Sequence, residues 1–284
     1  MSKEWGVADL HAHSLFSDGT DEPAEVVRRA KAAGLDALAL TDHDVIDGLP
    51  EAQAAAGEIG LELIPGIEIS CMDGERQEVH LLAYWIDARD AALRSTLHQQ
   101  QESRRRRLDA IILRLAEHGV TVTREEILAI ADRGSVGRPH IARALLARGA
   151  VQSVEEAFQR FLADDAPCYV KSSELSSAEA IRLVRQAGGV PVVAHPAFLR
   201  DDTAIERLYA QGLAGVEAYH GRHSPSVAER YAARAQSLGL LVTGGSDYHG
   251  ANKKKEGATL GSVKLPYQHV EALRAWKHAH TSAI

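Results

Sequence analysis

An α/β fold, built as a barrel or as an open doubly wound sheet, is what this chain of 284 residues predicts. Three observations carry that reading. Short β-rich apolar runs recur along the chain, most are followed by a helix-period pattern, and those helices tend to have Pro near the start and Gly just past the end. Strand alternating with helix implies parallel strands.

The first run, at 7–10, precedes a helical pattern over 23–33 that Gly34 closes. The second, at 37–41, precedes a helix over 49–59 stopped by Gly60, and the third and fourth lie at 61–69 and 79–85. Strands five to seven are expected at 190–194, 215–219 and 240–243, with a helix over 227–238 ended by Gly239. About a hundred residues separate the fourth run from the fifth, where a βα crossover needs far fewer. Helical patterns over 97–118, 124–132, 139–148 and 154–162 fill the gap, so an inserted helical subdomain is expected over 98–168. Residues 1–97 and 169–284 would then form the main domain. The four arginines at 104–107 cover all sides of a helix and read as a solvated face rather than a nucleic-acid contact.

The bulk numbers exclude several classes. A 45% hydrophobic fraction supports a large core, and 32 Lys and Arg against 39 Asp and Glu leave a formal charge of −7. Such a balance offers no general footprint for duplex nucleic acid or an anionic membrane, so a phosphate-bearing substrate would be held locally. Cys71 and Cys168 stand in no metal-type spacing, and reduced structural thiols are the expectation. The amino terminus shows no apolar leader and no run approaches membrane-spanning length, which predicts a cytoplasmic protein.

Acids and histidines stand at or beside the carboxyl ends of nearly all the predicted strands, which in a barrel share one mouth. Asp9-Leu10-His11-Ala12-His13 places two imidazoles two residues apart, on one face of a strand, and Asp18 follows. Then come Thr41-Asp42-His43-Asp44, Glu68, His80, His195 before Pro196, Glu217, and Gly245-Ser246-Asp247-Tyr248-His249. Mixed imidazole and carboxylate donors suit Mn, Zn or Fe better than Ca or Mg, and there are too many for one ion.

These motifs, DLHAHSLFSDG at 9–19, ALTDHD at 39–44, GIEIS at 66–70, EVHLLAY at 78–84, VVAHP at 192–196 and GSDYHG at 245–250, resemble the PHP (polymerase and histidinol phosphatase) phosphoesterases. The resemblance runs essentially end to end. It implies a distorted seven-stranded (β/α)7 TIM-like barrel with an inserted helical cap subdomain and a site for two to three divalent ions, Mn favoured and Zn or Fe the alternatives. It further implies His11, His13, Glu68 and Asp247 around one ion, Asp18, His43 and His249 around a second, and Glu68, His80 and His195 at a third. Glu68 would bridge. Asp247, His249 and His43 are assigned as catalytic as well, and Asp18 stands where some relatives use His.

Two ions about 3.5–4 Å apart can activate a shared water for in-line attack on phosphorus. A bridging hydroxide is the expected nucleophile, with an ordered water or a non-ligand His protonating the leaving alcohol. Asp9, Asp42 and Asp44 are candidates to accept the second N–H of ligating imidazoles, although Asp44 could equally cap the helix near Gly48. Glu217 is read as a substrate contact or loop support. Phosphate grip falls to Arg138, His140, Lys171, Arg222 and His223, the first two at a helix start where free N–H groups favour anions. His98, His118, His269, His278 and His280 read as surface residues, with His220 a doubtful member of that group.

The insertion and Arg138-Pro139-His140 resemble the branch of the family that acts on nucleotides, removing the 3′-phosphate of nucleoside 3′,5′-bisphosphates or trimming short single-stranded RNA from its 5′ end. Alternatives are a histidinol-phosphate or other small-molecule phosphatase, an amidohydrolase, and a non-catalytic metal-binding module. The Thr-Asp-His-Asp and Gly-Ser-Asp-x-His pair argues against the amidohydrolase, and the complete donor set against the non-catalytic module.

Overall fold

The computed structural model describes residues 6–74, 77–171, 175–201, 203–251 and 259–281, so the reading of the amino terminus falls partly outside it. Each of the seven predicted runs is a strand: β1 (Val7–Asp9), β2 (Ala37–Leu40), β3 (Glu62–Asp73), β4 (Gln77–Tyr84), β5 (Val190–Val193), β6 (Gly215–His220) and β7 (Leu241–Gly245). An eighth, β8 (Leu265–Pro266), runs antiparallel beside the start of β1 and is too short to leave a sequence pattern. The strands form one sheet in the order β7-β6-β5-β4-β3-β2-β1-β8. Beyond the end of β1 the chain closes onto the β7 side, where Leu10 N–H donates to Gly244 O at 3.1 Å and His13 N–H to Tyr248 O at 2.7 Å. The result is a nearly closed α/β barrel.

One expectation needs correction: the strands are not all parallel. β4 runs antiparallel to both β3 and β5. Residues 74–76 are all that separate β3 from β4, and a parallel crossover needs a dozen or more. His80 still reaches the mouth, because the reversal sets the amino-terminal half of β4 beside the carboxyl part of β3, where His80 pairs with Ser70.

Period-two alternation also builds the two cores. Ala37, Ala39, Ile64, Leu82 and Tyr84 share one cluster with Leu10, Val192, Val270 and Leu273. Leu38, Leu40, Ile67 and Leu81 belong to another, with Val26, Val27, Ala52, Ile181 and Val184 of the surrounding helices. Of these helical residues, the first three belong to α1 (Pro23–Ala32) and α2 (Leu49–Ile59), each with Pro in its first turn, and the last two to a helix over 177–186. Gly60 ends α2 in the left-handed conformation that glycine adopts without steric penalty.

The long interval between β4 and β5 holds α3 (Ala91–Glu117), α4 (Arg124–Ala131), α5 (Arg138–Ala147) and α6 (Val154–Ala157), which continues as a π-helical turn to Leu162. Leu108, Ile111, Leu115, Ile127, Leu145, Phe161 and Leu162 form a core of their own there. Leu93 and Leu97, at the start of α3, pack instead with the barrel. One helix thus spans both cores. After it come α7 (Ser177–Gln186), α8 (Ala204–Ala210), α9 (Pro225–Ser237) and α10 (Gln268–Thr281).

Because one face of α3 packs along its length, first on the barrel and then on the insertion, only half of its arginine run is a solvated face. Arg104 and Arg107, one turn apart on the same side, are buried. Arg104 donates from Nε to Asp44 at 2.8 Å and from Nη2 to Ser70 Oγ at 2.8 Å, and Arg107 Nε donates to the Val170 carbonyl at 2.8 Å. Arg105, on the outer side, pairs with exposed Glu102. Among the described residues no helix is long and apolar enough to cross a membrane.

Candidate metal centre

The strand ends bring the predicted donors together, and the hydrogen-bond partners fix which ring nitrogens are bare. A carboxylate can only accept, so His11 Nδ1, 2.9 Å from Glu217 Oε1, carries the hydrogen and leaves Nε2 as a lone pair. Ser17 gives its hydroxyl hydrogen to Asp42 at 2.6 Å and therefore accepts from His13 Nδ1 at 3.3 Å, which leaves His13 Nε2 bare as well. His249 Nδ1 donates to the Asp247 carbonyl at 2.7 Å, again baring Nε2. These lone pairs do not face donors. His11 Nε2 and His13 Nε2 are 3.1 Å apart, and each is 3.2 Å from Glu68 Oε2. Asp247 Oδ1 lies 3.4 Å from the first and 3.3 Å from the second. Acceptors crowded on acceptors repel unless a proton or a cation sits among them, and that donor set fits a divalent metal.

A second group joins His13, Asp18, His43 and His249, and a third joins His43, Glu68 and His80. His249 Nε2 is 3.1 Å from Asp18 Oδ1, and His43 Nδ1 is 3.1 Å from Glu68 Oε2. Glu68 Oε1 meets both His80 Nδ1 and His195 Nε2 at 2.9 Å. All nine predicted ligand positions are therefore within one mouth. His13 borders two of the groups, and the division into separate ion sites is less sharp than the sequence suggested.

The backbone at the mouth is held in conformations that L-residues avoid. Asp44, His195 and Asp247 have φ of 52°, 29° and 56°, a cost of roughly 1–3 kcal/mol each. Each is pinned by its own N–H: Asp44 to Glu68 O at 3.0 Å, His195 to Glu217 Oε2 at 2.7 Å, Asp247 to His11 O at 2.9 Å. Gly245 allows the last of these, since a Cβ there would meet His11 Cβ at 2.4 Å.

Several supporting roles differ from expectation. Asp42 does brace an imidazole of the predicted donor set, that of His13, through Ser17, and also accepts from Ser14 N–H at 2.7 Å. Asp9 accepts from Ser246 N–H at 2.8 Å and Gly261 N–H at 3.1 Å, so it tethers the β7 loop rather than an imidazole. Asp44 neither braces an imidazole nor caps α2: it pairs with Arg104 and accepts from Ser70 N–H at 2.9 Å. Glu217 is fully buried, orients His11 and holds the His195 backbone, so of its two expected roles it fills loop support and adds the bracing of an imidazole. His220, grouped with surface histidines, is buried. Its Nδ1 accepts from Arg222 N–H at 3.1 Å, so Nε2 carries the hydrogen, 3.3 Å from Asp247 Oδ2. The histidine-rich 219–223 stretch beside the mouth was its only sequence signal.

The residues read as phosphate contacts differ in their surroundings. Arg138 pairs with Asp164 at 2.7 Å and Glu78 at 3.4 Å, and Glu78 is 3.5 Å from His80 Nε2. His140 is buried, its Nδ1 accepting from Gly137 N–H at 3.0 Å at the start of α5. Lys171 and Arg222 are exposed, and His223 Nδ1 donates to Ala218 O at 2.9 Å.

Electrostatics follow from this packing. Burial pushes His13 down, but hydrogen bonds to Asp247 and Glu68 win and raise it to about 9. His80, likewise penalised by burial, is lifted to about 10 by the Glu68 charge. Glu68, which burial would raise, is held well below the usual carboxylate range by His43, His11 and His80. In the metal-free protein at neutral pH, a second proton taken up by His13 at Nε2 and one on His80 stand in for cations, and a metal must displace them. Titrating Mn²⁺ into metal-free protein at pH 7 is expected to release protons, seen as a buffer-dependent calorimetric enthalpy, and affinity should strengthen toward pH 9. The folded pKa values exceed the unfolded 6.5, so their stabilisation is complete below about 6.5 and fades as pH rises through 9–10. Metal-free Tm should fall over that window; a flat Tm with no proton release would contradict the assignment.

A barrel mouth gathering bare imidazoles and ionised carboxylates is the arrangement of a metal-dependent hydrolase. Comparison with known proteins specifies which kind. Residues 9–165 match the PHP domain model. The chain is 36% identical over 247 residues to a 3′,5′-nucleoside bisphosphate phosphatase of Chromobacterium violaceum, covering 85% of this chain and 86% of that one. It is 34% identical over 254 residues to a 5′-3′ exoribonuclease of Haemophilus influenzae, covering 88% and 91%. A solved structure from Bifidobacterium adolescentis, described as a metal-dependent phosphoesterase, superposes with a TM-score of 0.85 at 35% identity over 94% of this chain and 95% of that one. The chain belongs to the PHP family and is a metal-dependent phosphoesterase.

Proposed function

We propose that the chain hydrolyses phosphate esters of nucleotides: the 3′-phosphate monoester of nucleoside 3′,5′-bisphosphates, the 5′-terminal phosphodiester of short single-stranded RNA, or both. The observation that carries the chemistry is the cradle formed by His11, His13, Glu68 and Asp247, whose facing atoms are all acceptors. The nucleotide class is supported by the relatives at 36% and 34% identity. His11, His13, Glu68 and Asp247 would hold one divalent ion, Asp18, His43 and His249 a second, and His80 and His195 with Glu68 a third, with Mn the favoured metal. Ions bound there would supply Lewis acidity, lowering the pKa of a water and offsetting charge on phosphoryl oxygens.

The chain's own residues do the rest. Glu217 and the Asp42–Ser17 pair hold His11 and His13 with their lone pairs inward. His220 presents an N–H toward Asp247 and steers that carboxylate. Asp247, His249 and His43 stand closest to the reacting phosphoryl group in this reading. Arg138, His140, Lys171, Arg222 and His223 form the substrate-binding set, the first two at the N-terminus of α5, where free N–H groups favour an anion. Residues 98–168 act as a cap that admits small or single-stranded substrates to a cytoplasmic enzyme.

Mn-reconstituted protein, assayed for phosphate release from monoesters and for mononucleotide release from RNA, should give its highest kcat/KM on adenosine 3′,5′-bisphosphate or 5′-phosphorylated oligoribonucleotides. Faster turnover of histidinol phosphate would replace the nucleotide reading with the small-molecule alternative. Silence on every ester would remove the catalytic one.

A further inference from the structure

The mouth carries one large apolar group that its metal chemistry does not use. Phe198 ends the short 3₁₀ turn Pro196–Phe198, three residues after His195, and is 45% exposed. An exposed aromatic ring beside a polar site is the informative exception to burial, since water is its poorest neighbour. Its centroid lies 5.2 Å from the His195 ring and 5.6 Å from the His220 ring, edge to face with the latter. The Arg222 guanidinium carbon sits 4.6 Å from the same centroid. Other arginines around the site are tied down: Arg104 to Asp44, Arg138 to Asp164, Arg107 to the Val170 carbonyl. Arg222 is spent on a phenyl ring, at the exposed end of a loop whose shape is set by its own N–H on His220.

We propose that Phe198 and Arg222 form a stacking platform for the nucleobase of the substrate. A planar guanidinium and a phenyl ring at the rim offer π and cation–π faces to any base, and such stacking tolerates base identity. The platform adjoins His195, whose Nε2 is 2.9 Å from Glu68, so a phosphate drawn to the centre leaves its nucleoside beside these two groups. Phe198 thereby selects nucleotides over esters without a base, without reading which base it is. This assignment rests on the nucleotide reading above.

The test compares adenosine and uridine 3′,5′-bisphosphates with an abasic tetrahydrofuran 3′,5′-bisphosphate, using Mn-loaded protein. Wild type should favour both nucleotides over the abasic compound, and Phe198→Ala should shrink that preference roughly ten- to hundredfold. Arg222→Ala should shift it in the same direction, and Phe198→Trp should restore it. A Phe198→Trp protein without metal should also show fluorescence quenching on binding adenosine 3′,5′-bisphosphate. If wild type prefers nucleotides and Phe198→Ala retains the full preference, the platform is wrong and the nucleotide reading stands. If wild type treats abasic and nucleotide compounds alike, base recognition is absent and both fall.

Discussion

Glu68→Gln is expected to lower phosphate release on the order of a thousandfold or more, with the fold intact. Glu68 is 1% exposed, and its two oxygens contact five imidazoles: Oε2 lies 3.1–3.2 Å from His11, His13 and His43, and Oε1 lies 2.9 Å from His80 and His195. The amide preserves volume but removes the charge and turns one acceptor into a donor aimed at bare nitrogens. Metal content should drop together with activity. Circular dichroism and thermal melting verify the fold, and metal analysis alongside kcat/KM verifies the site. A variant that keeps its metals and turns over near the wild-type rate would show that Glu68 bridges nothing.

The largest stability effect is expected at Arg104→Met. Arg104 and Asp44 are both buried and 2.7 Å apart, so truncating the cation strands an ionised carboxylate at a cost of roughly 3–5 kcal/mol. The damage should also reach the centre, because Asp44 N–H donates to the Glu68 carbonyl and Arg104 supports Ser70, two residues further along β3. Urea unfolding gives the first effect and weaker Mn²⁺ affinity the second. Adding Asp44→Asn to Arg104→Met should recover part of the stability, since it removes the uncompensated charge. A loss under about 1 kcal/mol would mean that water replaces the guanidinium and that the Arg104–Asp44 pair does not anchor α3 to the barrel.

These two residues also mark how far sequence reading reaches. Glu68 was legible because it closes an apolar β run, and donors at several such ends imply a shared mouth. The strands themselves were legible from runs of branched and apolar residues, and α2 from Pro50 and Gly60. Strand direction was not: an apolar run reads the same in both orientations, so the reversal of β4 emerges only with its pairing to β3 and β5. Arg104 looked solvated because charge on a helix usually is, and the packing of one face of α3 against barrel and insertion is tertiary information. Glu217 and His11 are 206 residues apart, a pairing that no local pattern encodes. The positive φ of His195 and Asp247 likewise belongs to the closed barrel, where Glu217 and the His11 carbonyl hold them.

The decisive measurement is anomalous diffraction from crystals of the wild-type protein grown with Mn²⁺. At least two peaks are expected, one within ligating distance of His11 Nε2, His13 Nε2, Glu68 and Asp247, and another against Asp18, His43 and His249. No peak at these atoms, or cations bound only at surface carboxylates, would contradict the metal centre and every role derived from it.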